Sequence, residues 1–412
     1  MSEFVELSDD EFYFFSNKHP QGSYLQSLEM SQLLKKRKWK TIFVGLKREQ
    51  KIIAAALISY KPIKIGNYYS ISGGPLMDYK DNELVTEFFL KVKKYIKKHH
   101  GLLLKVTPNY FYQHLTAEGI PLDEPQVTIH NLILRCGLKH NGFTHVYTNE
   151  NPRVIFKKNL TGLIEKDLLK SYHSSTRTKV SKSIKSGMTI HQLSREELPL
   201  FEEVMQHTAS RQNFHDKGLS YYQDLYDSFG NQAKYMAVEI NFNSYAEENF
   251  KKLKRLQQKN ERICNDVSKS GQKKNIEREL IALKKRLEDV QKFLPLEKKD
   301  QKQILAVGLF IDRPQGMVFL FGGMYEQYKN FLAPSYYLQY VMMKQSINKG
   351  LTWFNFYGIE GVYDGSDGVL NFKKGFGGEV EEQLGSYLLI ANPLKYSIYQ
   401  AMKTIYQKLK NK

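Results

Sequence analysis

Lys373 is the side chain with the clearest chemical promise in this 412-residue chain, because of where it stands. It follows Phe372 inside the stretch Asp364-Gly365-Ser366-Asp367-Gly368-Val369-Leu370-Asn371-Phe372-Lys373-Lys374-Gly375-Phe376-Gly377-Gly378, a flexible entry into an apolar run that ends in two lysines and a second glycine cluster. A lysine held beside apolar residues can stabilise negative charge developing on a carbonyl oxygen, since partial desolvation strengthens that interaction. Three other stretches carry polar groups at useful spacing. His173-Ser174-Ser175-Thr176-Arg177-Thr178-Lys179-Val180 opens a basic helix, and the amides of a helix start beside Arg177 and Lys179 suit a phosphate. An N-capped, solvated helix accounts for the same residues equally well. Lys217-Gly218-Leu219-Ser220-Tyr221-Tyr222 sets a cation and two phenols near another helix start. Ser72-Gly73-Gly74-Pro75-Leu76-Met77-Asp78-Tyr79 is a glycine-rich strand exit followed by a carboxylate, which an ordinary turn also explains.

Familiar catalytic signatures are missing. The chain has no G-x-x-x-x-G-K-[ST] phosphate loop, no G-x-S-x-G elbow, no H-E-x-x-H and no Cys/His cluster, so neither ATP hydrolysis nor zinc chemistry is supported. His99 and His100 read as a polar helix end. Cys136 and Cys264 offer neither a disulfide framework nor metal-ligand spacing, which points to a reduced, cytoplasmic setting. Met1-Ser2-Glu3-Phe4-Val5 lacks the basic and apolar regions of a secretory signal, and no run approaches the roughly 20 apolar residues that cross a bilayer. The formal charge of +18, from 61 basic and 43 acidic residues, favours nucleic acid, anionic lipid or phosphorylated substrates as partners.

The elements that must position these residues alternate between strand and helix patterns. Thr41 to Leu46 and Ile52 to Tyr60 read as a hairpin, Tyr68 to Ile71 and Leu102 to Val106 as further strands, and Glu83 to Lys98 as an amphipathic helix. After a linker near Glu150-Asn151-Pro152, helices are expected at Leu160 to Tyr172, Thr178 to Ser186 and Glu196 to Arg211. Strands are expected at Tyr235 to Ile240, Ile304 to Ile311, Val318 to Phe321 and Trp353 to Phe356, with helices at Ala333 to Asn348 and Pro393 to Lys410. The terminal helix, with Lys395, Lys403, Lys408, Lys410 and Lys412, suits either anionic lipid or docking on the second domain.

One segment interrupts the sheet pattern. Between about Tyr245 and Gln301, Leu253, Leu256, Asn260, Ile263 and Val267 are followed by Ile276, Leu280, Leu283, Leu287, Val290 and Leu294 at steps of three and four, the spacing of helices that face a partner. Ser268, Ser270 and Gly271 supply turn chemistry between them, so the segment is expected to fold back as an antiparallel helical hairpin of roughly 30 Å. Its exposed positions are rich in Lys and Arg, which fits a polyanion; a solvated stiffening or dimerisation element fits the periodicity as well. The chain thus divides into two α/β domains, 1–150 and 151–244 with 302–412, and an arm at 245–301.

Taken in order, several of these stretches resemble the Fem-type aminoacyltransferases of Gram-positive bacteria: Gly74 to Tyr79, Ser220 to Gly230, the helical arm, Asn355-Phe356-Tyr357-Gly358-Ile359, and Val369-Leu370-Asn371-Phe372-Lys373. The Asp364 to Val369 and Ser220 to Gly230 stretches look closest to the MurM/MurN branch. The resemblance covers nearly the whole chain. It implies two acetyltransferase-like (GNAT-like) α/β domains with an inserted coiled-coil hairpin, and no acetyl-CoA site or other cofactor, because fold does not carry cofactor. It further implies transfer of Ala, Ser or Gly from aminoacyl-tRNA to the third stem-peptide residue, a lysine, of the lipid-linked peptidoglycan precursor lipid II. The partners implied are aminoacyl-tRNA, that precursor and the inner membrane face, without a metal.

Carried over residue by residue, the family's Phe-Lys pair falls on Phe372 and Lys373, with the lysine facing the aminoacyl ester. Its phosphate-binding basic residue falls on Lys217, four positions before the site tyrosine Tyr221, and lysine in place of arginine turns a bidentate grip into a point charge. An N-terminal phosphate-binding lysine falls near Leu34, with Lys35 and Lys36 adjacent. The carboxylate before proline in some relatives is Thr107 here, the tyrosine upstream of it is Leu102, and a further tyrosine falls on Phe321. These departures remove the obvious general base and favour an acceptor amine that loses its proton to water or substrate. A non-catalytic RNA-binding scaffold explains charge and arm but leaves Asp364 to Gly378 unexplained. A small-molecule acetyltransferase needs a pyrophosphate-binding glycine loop that is not apparent.

Overall fold

The computed structural model describes residues 2–143, 151–263, 270–294, 301–329 and 331–410, the side chains of 403 and 405–410 excepted. In chain order its strands are β1 (Glu3–Glu6), β2 (Lys40–Arg48), β3 (Lys51–Ile63), β4 (Gly66–Ser72), β5 (Leu76–Met77), β6 (Gly101–Thr107), β7 (Phe111–Leu115), β8 (Leu138–His140), β9 (Val154–Asn159), β10 (Thr189–Gln192), β11 (Ala233–Ile240), β12 (Gln303–Arg313), β13 (Gly316–Met324), β14 (Trp353–Gly358), β15 (Glu379–Gln383) and β16 (Tyr387–Ile390). They form two sheets, one ordered β1-β2-β3-β4-β6-β16-β8 with β5 on β3, the other β10-β11-β12-β13-β14-β9-β15-β7.

The first sheet is built around the hairpin of β2 and β3, whose two-residue turn holds Glu49 and Gln50 at φ 50° and 64°. Positive φ at both turn residues matches the right-handed twist of the flanking strands. Residues 54–59 of β3 are all buried, so both faces of that strand are covered. On one side lies the helix Asn82–Lys98, capped by Asp81, which buries Phe88, Phe89, Val92 and Ile96. His99 ends that helix and shares a hydrogen bond with the Tyr95 carbonyl, the polar helix end expected.

The sheets exchange strands across the boundary expected near residue 150. β7 leaves the first half of the chain to pair with β15 in the second sheet, and β16 returns to lie between β6 and β8 in the first. Tyr387 and Leu389 of β16 are fully buried in the first core. A separate core joins both sheets, packing Phe12, Tyr24, Leu33, Phe43 and Leu57 against Phe201, Tyr222, Phe229, Val307 and Leu309.

The helical arm sits where the periodicity placed it, between the antiparallel neighbours β11 and β12. Its helices are Phe242–Ile263 and Ser270–Gln291. Leu253, Ile263, Ile276, Leu283 and Val290 are buried along the seam, and Lys252 bridges to Glu279 at 2.7 Å. Phe242, at the start of one helix, stacks on Phe293, just past the end of the other, at 5.1 Å, so the helices run antiparallel. Ser270 and Gly271, expected in the turn, are already helical, and Cys264, Val267 and Ser268 lie outside the described residues.

Two helix expectations change. Leu160 to Tyr172 contains only Glu165–Leu168 and a 3-10 turn at Leu169–Ser171, because Gly162 stands at φ 75°. The Asp364 to Gly378 stretch, expected as a loop, contains the short helix Gly368–Lys374.

Candidate active site

Asp367 creates that short helix. Its carboxylate accepts the amides of Val369 and Leu370 at 2.8 and 2.9 Å, and its second oxygen accepts the Glu360 amide at 3.1 Å. At the other end, Lys158 of β9 donates to the carbonyls of Phe376 and Gly377 at 2.8 and 3.4 Å. The helix is therefore pinned at both termini, and it turns Phe372 and Lys373 in different directions.

Lys373 points inward and is 5% exposed. Its Nζ donates to the Gly358 carbonyl at 2.5 Å and lies 3.4 Å from that of Tyr357. Burial pushes its amine down to about 7, against a smaller opposing pull from the Asp367 carboxylate. Tyr357 has φ 66°, a left-handed conformation held by the Asn355 side chain, which accepts the Tyr357 amide at 2.7 Å. A non-glycine residue in that region marks a place where surrounding structure imposes the backbone. Here it turns the Tyr357 hydroxyl toward that of Tyr24, 2.9 Å away on the first half of the chain. Burial raises both phenols, Tyr357 to about 12, so both keep their protons.

Tyr221 adjoins this pair electrostatically and begins a cluster on the same seam between the halves. The Arg37 guanidinium lies 5.2 Å over its ring and 3.7 Å from Asp224, while Lys36 meets Asp227 at 3.3 Å. Phe321 packs edge-on against Tyr221 at 6.2 Å. Burial pushes the Tyr221 phenol up to about 12, with the Arg37 charge acting the other way. Lys35 and Lys217 are exposed and have no ion pair among the described residues. The amide of Leu219, which starts the helix after Lys217, is taken by Glu202 at 2.8 Å.

Phe372 belongs to a second cluster. Its ring packs on Tyr336 at 4.9 Å and Phe376 at 5.3 Å. Lys179 reaches the Tyr336 hydroxyl at 3.2 Å and sits 4.6 Å from the ring centre. Arg177 instead donates to the carbonyls of Lys170 and Tyr172, holding the turn before its own helix. The structure thus sets Arg37, next to Lys36, over Tyr221, and Lys179 on Tyr336, which packs on Phe372, while the Lys373 amine lies behind Tyr357, a neighbour of Tyr221. Arg37, Tyr24 and Tyr357 were missed in the sequence, although Arg37 continues the run Lys35-Lys36 and Tyr357 lies inside the quoted Asn355 to Ile359 stretch.

Tyr24 and Tyr357 also line a cavity of about 380 Å³ between the two sheets. Its other walls include Ser23, Gly73, Thr107, Arg153, Lys157, Arg313 and Gln315. Arg153 pairs with Glu382 at 2.6 Å and Arg313 with Glu29 at 3.2 Å. The side chains of Ser23, Gln315 and both arginines nonetheless retain buried polar atoms without a partner among the described residues. Buried polar atoms without partners are uncommon, and such a wall suits a ligand rich in amides. Among the described residues no group of three or more His, Cys, Asp or Glu could hold a metal ion, and no helix is long and apolar enough to cross a membrane.

Two mixed sheets that exchange strands, with a helical hairpin inserted between β11 and β12 of the second and a buried lysine at the seam, define the class of α/β fold. Residues 7–404 match the model of the FemAB family. The aminoacyltransferase FemA of Staphylococcus epidermidis is 30% identical over 417 residues, covering 98% of this chain and 99% of the relative. FemA of Staphylococcus aureus is 27% identical over 419 residues, with 98% of each chain covered. The crystal structure of FemX superposes with a TM-score of 0.76 at 22% identity over 96% of this chain and 99% of that one. The chain belongs to the FemAB family and is an aminoacyltransferase. The relatives named here are FemA proteins; they establish the family and leave the MurM/MurN placement an expectation.

Proposed function

We propose that this aminoacyltransferase moves Ala, Ser or Gly from aminoacyl-tRNA to the side-chain amine of the third stem-peptide residue, a lysine, of lipid II, at the inner face of the membrane. The observation that carries the reading is the place of Lys373 between two unlike clusters. The Arg37, Tyr221 and Lys217 side offers cations and phenols for a phosphorylated precursor. The Phe372, Tyr336 and Lys179 side offers aromatic rings packed edge to face beside a cation, a combination suited to the exposed bases and phosphates of a nucleic acid end. The basic face of the arm extends that side for the body of the tRNA.

The chemistry asks little of a base. The acceptor amine, once neutral, attacks the ester carbonyl carbon; the ester C–O bond then breaks, and the departing ribose oxygen takes the proton the amine gives up. Positioning the two reactants and stabilising the oxyanion supply most of the acceleration. In this scheme protonated Lys373 turns from the Gly358 carbonyl to the oxyanion, Phe372 packs against the aminoacyl end, and the cavity holds the stem peptide. Lys35, Lys36 and Arg177 act at longer range, through charge. Mass spectrometry of stem peptides from cells with and without the chain tests the reading: a bridge residue absent without it is expected, and unaltered muropeptides overturn it.

A further inference from the structure

Where β3 ends and β4 and β6 begin, at the opposite end of β4 from the cavity wall at Gly73, three segments meet. The turn between β3 and β4, the turn between the helix Asn82–Lys98 and β6, and the terminal helix Pro393–Lys410 line one shallow hollow through Lys64, Ile65, Gly66, His100, Lys395 and Ile398. The turns are tied together by the Asn67 amide, which donates to the His100 carbonyl at 2.9 Å. The terminal helix lies against these strand ends with Tyr396 and Tyr399 half-buried. Its opposite stripe, Leu394, Ile398 and Met402 at steps of four, is 75%, 49% and 39% exposed. Residues 61–66, 97–100 and 393–402 hold Lys61, Lys64, Lys97, Lys98, Lys395 and two histidines, and not one Asp or Glu.

We propose that this face seats the protein on an anionic bilayer surface, with the Leu394, Ile398 and Met402 stripe entering the headgroup boundary and the lysines meeting lipid phosphates. An amphipathic helix with a cationic surround binds such a boundary through apolar area and charge together. Five lysines and no carboxylate across three separate segments leave these cations without an anionic side chain within those segments. The proposal rests on the membrane-side reading above and gives it geometry. β4 starts at the face, at Gly66, and ends beside the cavity wall at Gly73, so a substrate anchored in the bilayer must reach about 20 Å to the site at the usual rise per residue.

The test uses the full chain and sedimentation with vesicles, either equimolar phosphatidylglycerol and phosphatidylcholine or phosphatidylcholine alone. Binding to the anionic vesicles only, weakened by salt, is expected. The pair Leu394→Glu and Ile398→Glu loses affinity at least ~10-fold, and the pair Lys64→Gln and Lys395→Gln ~25-fold, at ~5-fold per lysine. Equal sedimentation with both vesicles, none with either, or variants that bind like the parent overturn the proposal. So does a parent dimer that the Leu394 and Ile398 variant converts to monomer, which makes the face a self-interface. Transfer to precursor in detergent micelles is unchanged in both variants; a parent that sediments with anionic vesicles yet transfers nothing in micelles overturns the proposed function and leaves this face standing.

Discussion

Lys373 carries the account at the scale of single residues, and its environment gives it a pH signature. In the unfolded chain a lysine holds its proton to about pH 10, whereas in the folded chain Lys373 releases it near 7 and Lys158 near 8. Between those limits the unfolded state binds more protons, so stability rises with pH. Urea midpoints should climb between pH 7 and 9, and the climb should flatten in Lys373→Met. Transfer behaves oppositely: if the charged amine faces the oxyanion, the rate falls as pH rises through about 7 once the acceptor amine is saturating and neutral, and Lys373→Met loses activity at every pH. A rate in Lys373→Met equal to the parent's removes the residue from the mechanism. Arg37→Ala should raise the KM for precursor by about 10-fold, the loss of a cation-π contact and a charge partner, with little change in kcat. Legibility at this scale was uneven. Lys373 stood out because glycines and apolar neighbours flank it; Tyr357 did not, because a left-handed tyrosine has no signal in residue type.

Elements position those residues, and the short helix Gly368–Lys374 matters most. Seven residues with glycines on both sides read as a loop, and only tertiary contacts, the Asp367 cap and the Lys158 side chain from a distant strand, make it helical. Asp367→Ala should cost about 1–2 kcal/mol in stability, the worth of a lost N-cap. It should also lower kcat more than KM, because the helix that aims Lys373 loosens; a KM-only effect counts against that aim. The arm was far easier to read, since a repeat sustained over two helices survives any single exception. One exception is Asn260, whose buried side-chain oxygen has no partner among the described residues. Asn260→Leu should raise the arm's resistance to proteolysis, and an unchanged cleavage rate counts against a buried cost there.

On the scale of the whole molecule, the two sheets hold each other's strands. β7 and β16 are short and irregular in pattern, and their neighbours are fixed by long-range pairing, so nothing local in the sequence marks the exchange. It follows that residues 1–150 expressed alone lack the strand between β6 and β8 and should fail to unfold cooperatively in denaturant; a sharp transition in that fragment contradicts the exchange. The shared core of Tyr24, Phe43, Phe201 and Tyr222 makes the seam rigid enough to hold Lys373 between its two clusters. Single-turnover transfer with radiolabelled aminoacyl-tRNA and lipid-linked precursor tests that arrangement most directly. The account predicts that label appears on the precursor with the parent chain and not with Lys373→Met; label that stays on tRNA with the parent, or that moves equally with both, contradicts it.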